Sequence, residues 1–377
     1  MYHSLVAAEP SIRDVLHNML QHGDLSFRDF VEMALYHPRR GYYARAANPI
    51  GKAADYVTAP SLSPVFSFAI ARLVREFVRR NEGELCSIVD IGCGDGSLIE
   101  SVAGSSSLAT GGVRFFGVDR SLERIRPNNE QRATYVRTIS ELPWDGVHLV
   151  FSNELFDAFP FARLVQRGMH LHELFVTERE GILDWAEHDA PSAYQEYFAS
   201  RGVTLAEGQF ADVSLEWEAV YADIARFVER GLIVTIDYGF PVEKLFHRRA
   251  RRFGTAAAYA VHRVSRDLLA DPGEQDLTAH INFTDLERAG ERHGATTVFF
   301  DRLAKFLLTL GITDHELFRP IEELALANAE QALELREARE EARRLVLPDG
   351  IGEEMRVLVQ AKGVSTKGWS FQAPLFP

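Results

Sequence analysis

The chain has 377 residues, a formal net charge of −13, 46% hydrophobic and 25% charged residues, and two cysteines. That length exceeds what one compact core usually holds, so one large domain with attachments, or two domains, is expected. The acidic balance argues against non-specific nucleic-acid binding, which needs clustered Lys and Arg, and no apolar run reaches the length of a membrane span. Cys86 and Cys93 cannot build a disulfide framework, and with no Cys/His cluster of zinc spacing no metal is expected.

Residues 1–10 lack both a basic segment leading into an apolar one and an Arg-rich amphipathic presequence, which points to a cytoplasmic protein. From Ser11 to Leu20, apolar residues recur at helical spacing behind a serine cap, and Ser26–Tyr36 repeats the pattern. Pro38 and Gly41 break it, and a third helix is expected from about Pro64 to Arg80, making 1–80 an N-terminal helical region. From Cys86 onward strands and helices alternate. Strands are expected at 86–91, 113–118, 134–138, 147–152, 231–237, 295–300 and 355–360. The fourth and fifth are apolar without alternation, as in strands buried on both faces. Insertions are expected at about 161–212, opening with a hairpin over 163–176, and at about 239–282. The run Arg248–Arg252 reads as a solvated basic loop, and Ile321–Leu347 as a long amphipathic helix. The fold class is therefore α/β, a doubly wound sheet of seven strands with an antiparallel strand at one edge and insertions after strands 4 and 5.

The stretch Ile88-Val89-Asp90-Ile91-Gly92-Cys93-Gly94-Asp95-Gly96-Ser97 carries most of the functional information. A strand breaks into glycines at every second position and then into a helix, which lets backbone N–H groups approach a ligand that a Cβ atom would exclude. Ser97 stands where a dinucleotide fingerprint has its third glycine, and no phosphate loop is present. What remains, Asp-x-Gly-x-Gly-x-Gly, is the pattern of class I S-adenosylmethionine methyltransferases. Asp119, at the end of the next expected strand, supplies a partner for ribose hydroxyls at βαβ spacing. The cofactor set is thus Asp90, Gly92, Gly94, Gly96 and Asp119, with Asn153 from the fourth strand's end.

Asn153-Glu154-Leu155-Phe156-Asp157 follows that fourth strand, where the transferring methyl group is expected. Glu154 and Asp157, three residues apart, would share one side of a helical turn. There they would orient a cationic nucleophile such as a guanidinium, or serve as a base. Asn153, Glu154, Asp157 and His280 are the catalytic candidates. Their alternative reading is structural, as a turn cap, a surface pair and a satisfied histidine. The residues alone leave open a protein acceptor, a small-molecule acceptor, and a cofactor-binding assembly factor with little turnover.

These segments together resemble the MidA-like family of S-adenosylmethionine-dependent methyltransferases. The likeness runs through Phe30–Pro38 with Gly41-Tyr42-Tyr43, then Asp55-Tyr56-Val57-Thr58-Ala59-Pro60 and Asn153–Pro160. It continues through Ile236-Asp237-Tyr238-Gly239-Phe240, Pro272–His280 and Phe306–Ile312. The resemblance implies that Asp55, Thr58 and Pro60 join the cofactor site, which the N-terminal region would cover. It also implies transfer to a protein arginine, in keeping with the acidic balance; the sequence leaves the oligomeric state open, a homodimer included. The chain departs from the family pattern at Asp90 and Cys93, where Glu and Pro are usual, at Asp95, and at Asn282, which replaces Asp. Calorimetry is expected to detect binding of S-adenosylmethionine and none of NAD; the reverse result would overturn the assignment of the glycine loop.

Overall fold

The computed structural model describes residues 11–44, 64–105, 112–125, 130–260, 263–320 and 329–374. The chain divides into two compact units, one comprising Ile50–Asp157, Leu215–Leu245 and His280–Pro377, the other Met1–Pro49, Ala158–Ser214 and Phe246–Ala279.

The first unit is built on a sheet whose strands are β1 (Cys86–Ile91), β2 (Val113–Val118), β3 (Ala133–Val136), β4 (Val147–Asn153), β5 (Gly231–Phe240), β6 (Thr296–Arg302) and β7 (Met355–Lys362). Their spatial order is β6-β7-β5-β4-β1-β2-β3. The five strands from β5 to β3 pair in parallel, while β7 is antiparallel to both β5 and β6. All seven expected strands form, within one to three residues at their ends. The place of the antiparallel strand differs from expectation: it is β7, one position in from the edge, and β6 is the edge. Burial explains the order. Met355, Val357, Leu358 and Val359 of β7 are fully buried, whereas β6 is mostly half-exposed, so the more apolar strand takes the inner position. A two-residue strand, Ile281–Asn282, adds in parallel to the end of β5 at Gly239 and Phe240.

Val65, Phe66, Ala69, Ile70, Leu73, Val74 and Phe77 make one buried stripe along the helix Pro64–Arg80. They share a core with Ile88 of β1 and Phe151 of β4. This helix, grouped by sequence with residues 1–80, therefore packs within the sheet unit. The late amphipathic helix spans Ala329–Arg344.

The second unit holds the helices Ile12–Leu20 and Phe27–Tyr36. Ser11 and Asp14 close a capping box on the first, and Ser26 caps the second. The expected hairpin forms from Ala162–Arg167 and His170–Arg179, and it extends to a third strand, Ile182–Asp189. A separate three-stranded sheet joins Ala257–Ala260, Arg263–Ser265 and Asp276–Thr278. The unit has its own core, in which Leu16, Phe27, Phe30 and Leu35 meet Phe161, Val176 and Leu277. Among the described residues no helix is long and apolar enough to cross a membrane, and no group of side chains could hold a metal ion.

One buried acid of this unit makes stability depend on pH. Glu173 is 4% exposed. Burial, with Asp29 adding repulsion against the opposing pull of Arg28 and His188, pushes its carboxyl up to about 7. The folded protein therefore binds a proton that the unfolded chain releases, and stability falls as pH rises from the ordinary carboxyl range to about 7. Glu173→Gln is expected to flatten that fall and to be more stable than the parent at pH 8. Urea denaturation at pH 5 and pH 8 measures it, and an unchanged slope would refute it.

Candidate functional site

At the carboxyl end of β1 the chain enters the glycine loop. Gly92, Gly94 and Gly96 have φ of +74°, +59° and +79°, a conformation that side-chain-bearing residues rarely adopt. The loop folds over the end of β2, with the N–H groups of Gly92 and Cys93 donating to the Val118 carbonyl at 2.8 and 3.2 Å. The Asp119 carboxylate is fixed from both sides, Oδ2 accepting the Gly94 N–H at 3.0 Å and Oδ1 the Ser121 N–H at 2.8 Å. Asp95, unusual for the resembled pattern, acts locally, with its Oδ1 accepting the Ser97 N–H at 3.0 Å where the helix Ser97–Ala103 begins. A Cβ on Gly96 would strike the ring of Tyr135, whose hydroxyl donates to Glu100 Oε1 at 3.0 Å. Cys93 is a packing residue. Burial pushes its thiol far up, and its Sγ lies 2.8 Å from where a Cβ on Gly117 would stand.

Asp90 is 2% exposed. Its carboxyl is raised well above the usual range by burial first, then by repulsion from Asp119 and Asp95. Three acids thus crowd one loop, and a cationic ligand there would relieve their repulsion. The loop accordingly suits S-adenosylmethionine, which carries a sulfonium and an ammonium group. The glycines leave room for close backbone approach, and Asp119 is held in place with lone pairs left for hydroxyl donors.

Register places the second cluster beside the first. Ile91 of β1 pairs with Ser152 of β4, and Asn153 of β4 with Ile236 of β5. The expected helical turn does not form at residues 154–157, which make an irregular bend after β4. Its cause is local: Glu154 has φ +52°, outside helical space, and its N–H donates to the Ile236 carbonyl at 2.9 Å. Asn153 Nδ2 donates to Glu154 Oε1 at 2.9 Å. Asn153 Oδ1 is buried without a hydrogen-bond partner among the described residues. Asp157 is 3% exposed. The two loops meet at Gly92, where an added Cβ would stand 2.9 Å from Leu155 Cδ1.

The sequence points to Ile236-Asp237-Tyr238-Gly239-Phe240 as a segment facing the cleft but gives Asp237 no role of its own. This residue at the end of β5 is fully buried, its Oδ2 accepting the Phe156 N–H at 2.9 Å and its Oδ1 the Tyr238 N–H at 2.8 Å. Burial raises its carboxyl and Glu154 adds to the rise, while N–H donors, that of Asp157 included, oppose it. The available signal was a carboxylate at the end of the mostly apolar strand expected at 231–237. His280 lies against two rings in the last residues of β5, 6.3 Å from Tyr238 and 5.5 Å from Phe240 between centroids. Asn282 caps the helix Phe283–Arg292, its side chain accepting the Thr284 N–H at 3.2 Å. Asparagine and aspartate serve equally at such a cap, so this departure from the family pattern preserves the local structure. Asp55, Thr58 and Pro60 lie outside the described residues.

The strand order, the glycine loop after β1 and the acid after β2 define a class I S-adenosylmethionine-dependent methyltransferase fold. The family model described as "Putative S-adenosyl-L-methionine-dependent methyltransferase" matches residues 69–300, more than half of the chain, and the chain belongs to that family. A crystal structure of a COG1565 superfamily protein from Burkholderia thailandensis, bound to S-adenosyl-homocysteine, is similar at 26% identity and a TM-score of 0.81, covering 96% of this chain and 94% of that one. A second structure of a COG1565 superfamily protein from that organism is similar at 27% identity and a TM-score of 0.76, covering 94% and 92%. No curated protein matches significantly. The family and the ligand of that neighbour identify the cofactor as S-adenosyl-L-methionine, and both agree with the MidA-like resemblance. Gly94→Val, at a φ of +59°, is expected to abolish S-adenosylmethionine binding and, because a β-branched residue is strained there, to lower the melting temperature, with circular dichroism checking that the variant still folds. Unchanged affinity by calorimetry would remove the loop from the cofactor site.

Proposed function

We propose that the chain transfers a methyl group from S-adenosylmethionine to a nitrogen of a cationic protein side chain, with arginine the favoured acceptor. The observation that carries this reading is the gathering of Glu154, Asp157 and Asp237 at the ends of β4 and β5, on a loop in contact with the glycine loop. Carboxylates hold a guanidinium through paired, charge-assisted hydrogen bonds. The formal charge of −13 favours encounter with a basic partner over nucleic acid.

Asp90, Gly92, Gly94, Gly96, Asp119 and Asn153 hold the cofactor. Bound S-adenosylmethionine supplies an activated methyl group on its sulfonium. The chain's own residues then contribute position and charge. Asn153 fixes Glu154 through Oε1, and Glu154 holds the acceptor through Oε2, taking the proton that the nitrogen sheds as it gains a methyl group. Asp157 adds negative charge against the cationic acceptor, and His280 lines the same end of β5 with Tyr238.

Glu154→Gln and Asp157→Asn are expected to leave the affinity for S-adenosylmethionine unchanged and to slow methyl transfer about 100-fold or more. Parental rates in both variants would return the residues to a structural role. Mass spectrometry of cells with and without the protein identifies the acceptor. A lost methyl-arginine peptide supports the proposal, and a lost methylated small molecule overturns it.

A further inference from the structure

We infer that Asp237 is a positioning residue for methyl transfer: its buried carboxylate holds the backbone of Phe156 and Asp157, and so aims Asn153 and Glu154 at the acceptor. The inference rests on the proposed role of Glu154. Three observations carry it. Asp237 Oδ2 takes the Phe156 N–H at 2.9 Å, while Oδ1 takes the N–H of Tyr238, on its own strand, at 2.8 Å. The Phe156 carbonyl is held from another element, by Trp217 Nε1 at 2.7 Å, so both polar backbone groups of Phe156 are tied down. Two residues upstream, Glu154 keeps a left-handed backbone of φ +52°, with its N–H on the Ile236 carbonyl at 2.9 Å.

A residue without glycine's freedom stays in such a conformation only where its surroundings over-determine it. Here they do so from two sides, the β5 backbone at Ile236 and the β5 side chain at Asp237. A buried carboxylate is a costly way to satisfy backbone donors, and strand packing alone does not call for one. What it offers is an acceptor on each oxygen, one for the Phe156 N–H and one for the Tyr238 N–H. Asparagine would turn an NH2 group toward one of the N–H donors and loosen that end of the bend. A displacement of about 1 Å at Glu154 is enough to cost a large part of the rate.

The test uses Asp237→Asn in the full chain. S-adenosylhomocysteine affinity is measured by calorimetry, and the initial rate is measured with tritiated S-adenosylmethionine on an extract of source cells lacking this protein. The rate is expected to fall about 100-fold while affinity stays within about threefold. Amide exchange should quicken at 154–157 and not in β1. The double variant Asp237→Asn/Glu154→Gln should be no slower than the slower single variant, because both act through one group. Trp217→Phe, which releases the Phe156 carbonyl instead, should slow transfer in the same non-additive way and carries the test if Asp237→Asn does not fold. An unchanged rate in the variants overturns the inference, as does a loss of rate matched by equal losses of affinity and melting temperature. If Glu154→Gln is slow and the two effects multiply, the positioning role alone falls. If Glu154→Gln keeps the parental rate, the proposed role of Glu154 falls and this inference with it.

Discussion

Leu155 Cδ1 lies 2.9 Å from the point where a side chain on Gly92 would begin, and much of the site follows from that contact. Because Gly92 has no Cβ, the bend after β4 can lie directly on the loop after β1. The glycine loop and the carboxylate-bearing bend then become neighbours instead of merely sharing a sheet edge. Parallel pairing of β1 with β4 and of β4 with β5 brings three strand ends to one place. The missing side chain lets the turns beyond them close up. This is the geometry in which open α/β folds bind ligands at the carboxyl ends of their strands.

The electrostatics follow from the same crowding. Asp90, Asp95 and Asp119 repel one another around the first loop, and Glu154 and Asp237 do so around the second. Backbone N–H groups answer part of that charge at Asp95, Asp119 and Asp237. A site that meets its own acids with backbone dipoles keeps a negative field for a cationic ligand. Such a field suits both a sulfonium donor and a guanidinium acceptor, so one arrangement serves both halves of the proposed reaction.

Much of this was legible in the chain itself. Each strand of the sheet appears as an apolar run, since a strand buried on both faces cannot alternate. The glycine spacing and Asp119 pointed to the loop and its ligand class, because a turn with positive φ at three positions tolerates few other residues. Less legible were the place of β7, the bend at residues 154–157 and the part of Asp237. Sequence spacing suggested a helical turn joining Glu154 to Asp157. The hydrogen bond from the Glu154 N–H to Ile236, more than 80 residues away in sequence, decides otherwise.

The sequence by itself determined the local elements and the glycine loop, because periodicity, caps and glycine conformations act over a few residues and leave a local signature. Only the tertiary structure decided which strand lies inside β6, what holds the bend at 154–157, and that Asp237 reaches the Phe156 backbone. Those outcomes depend on buried donors and acceptors finding partners far along the chain, and no short-range pattern records which partner is met.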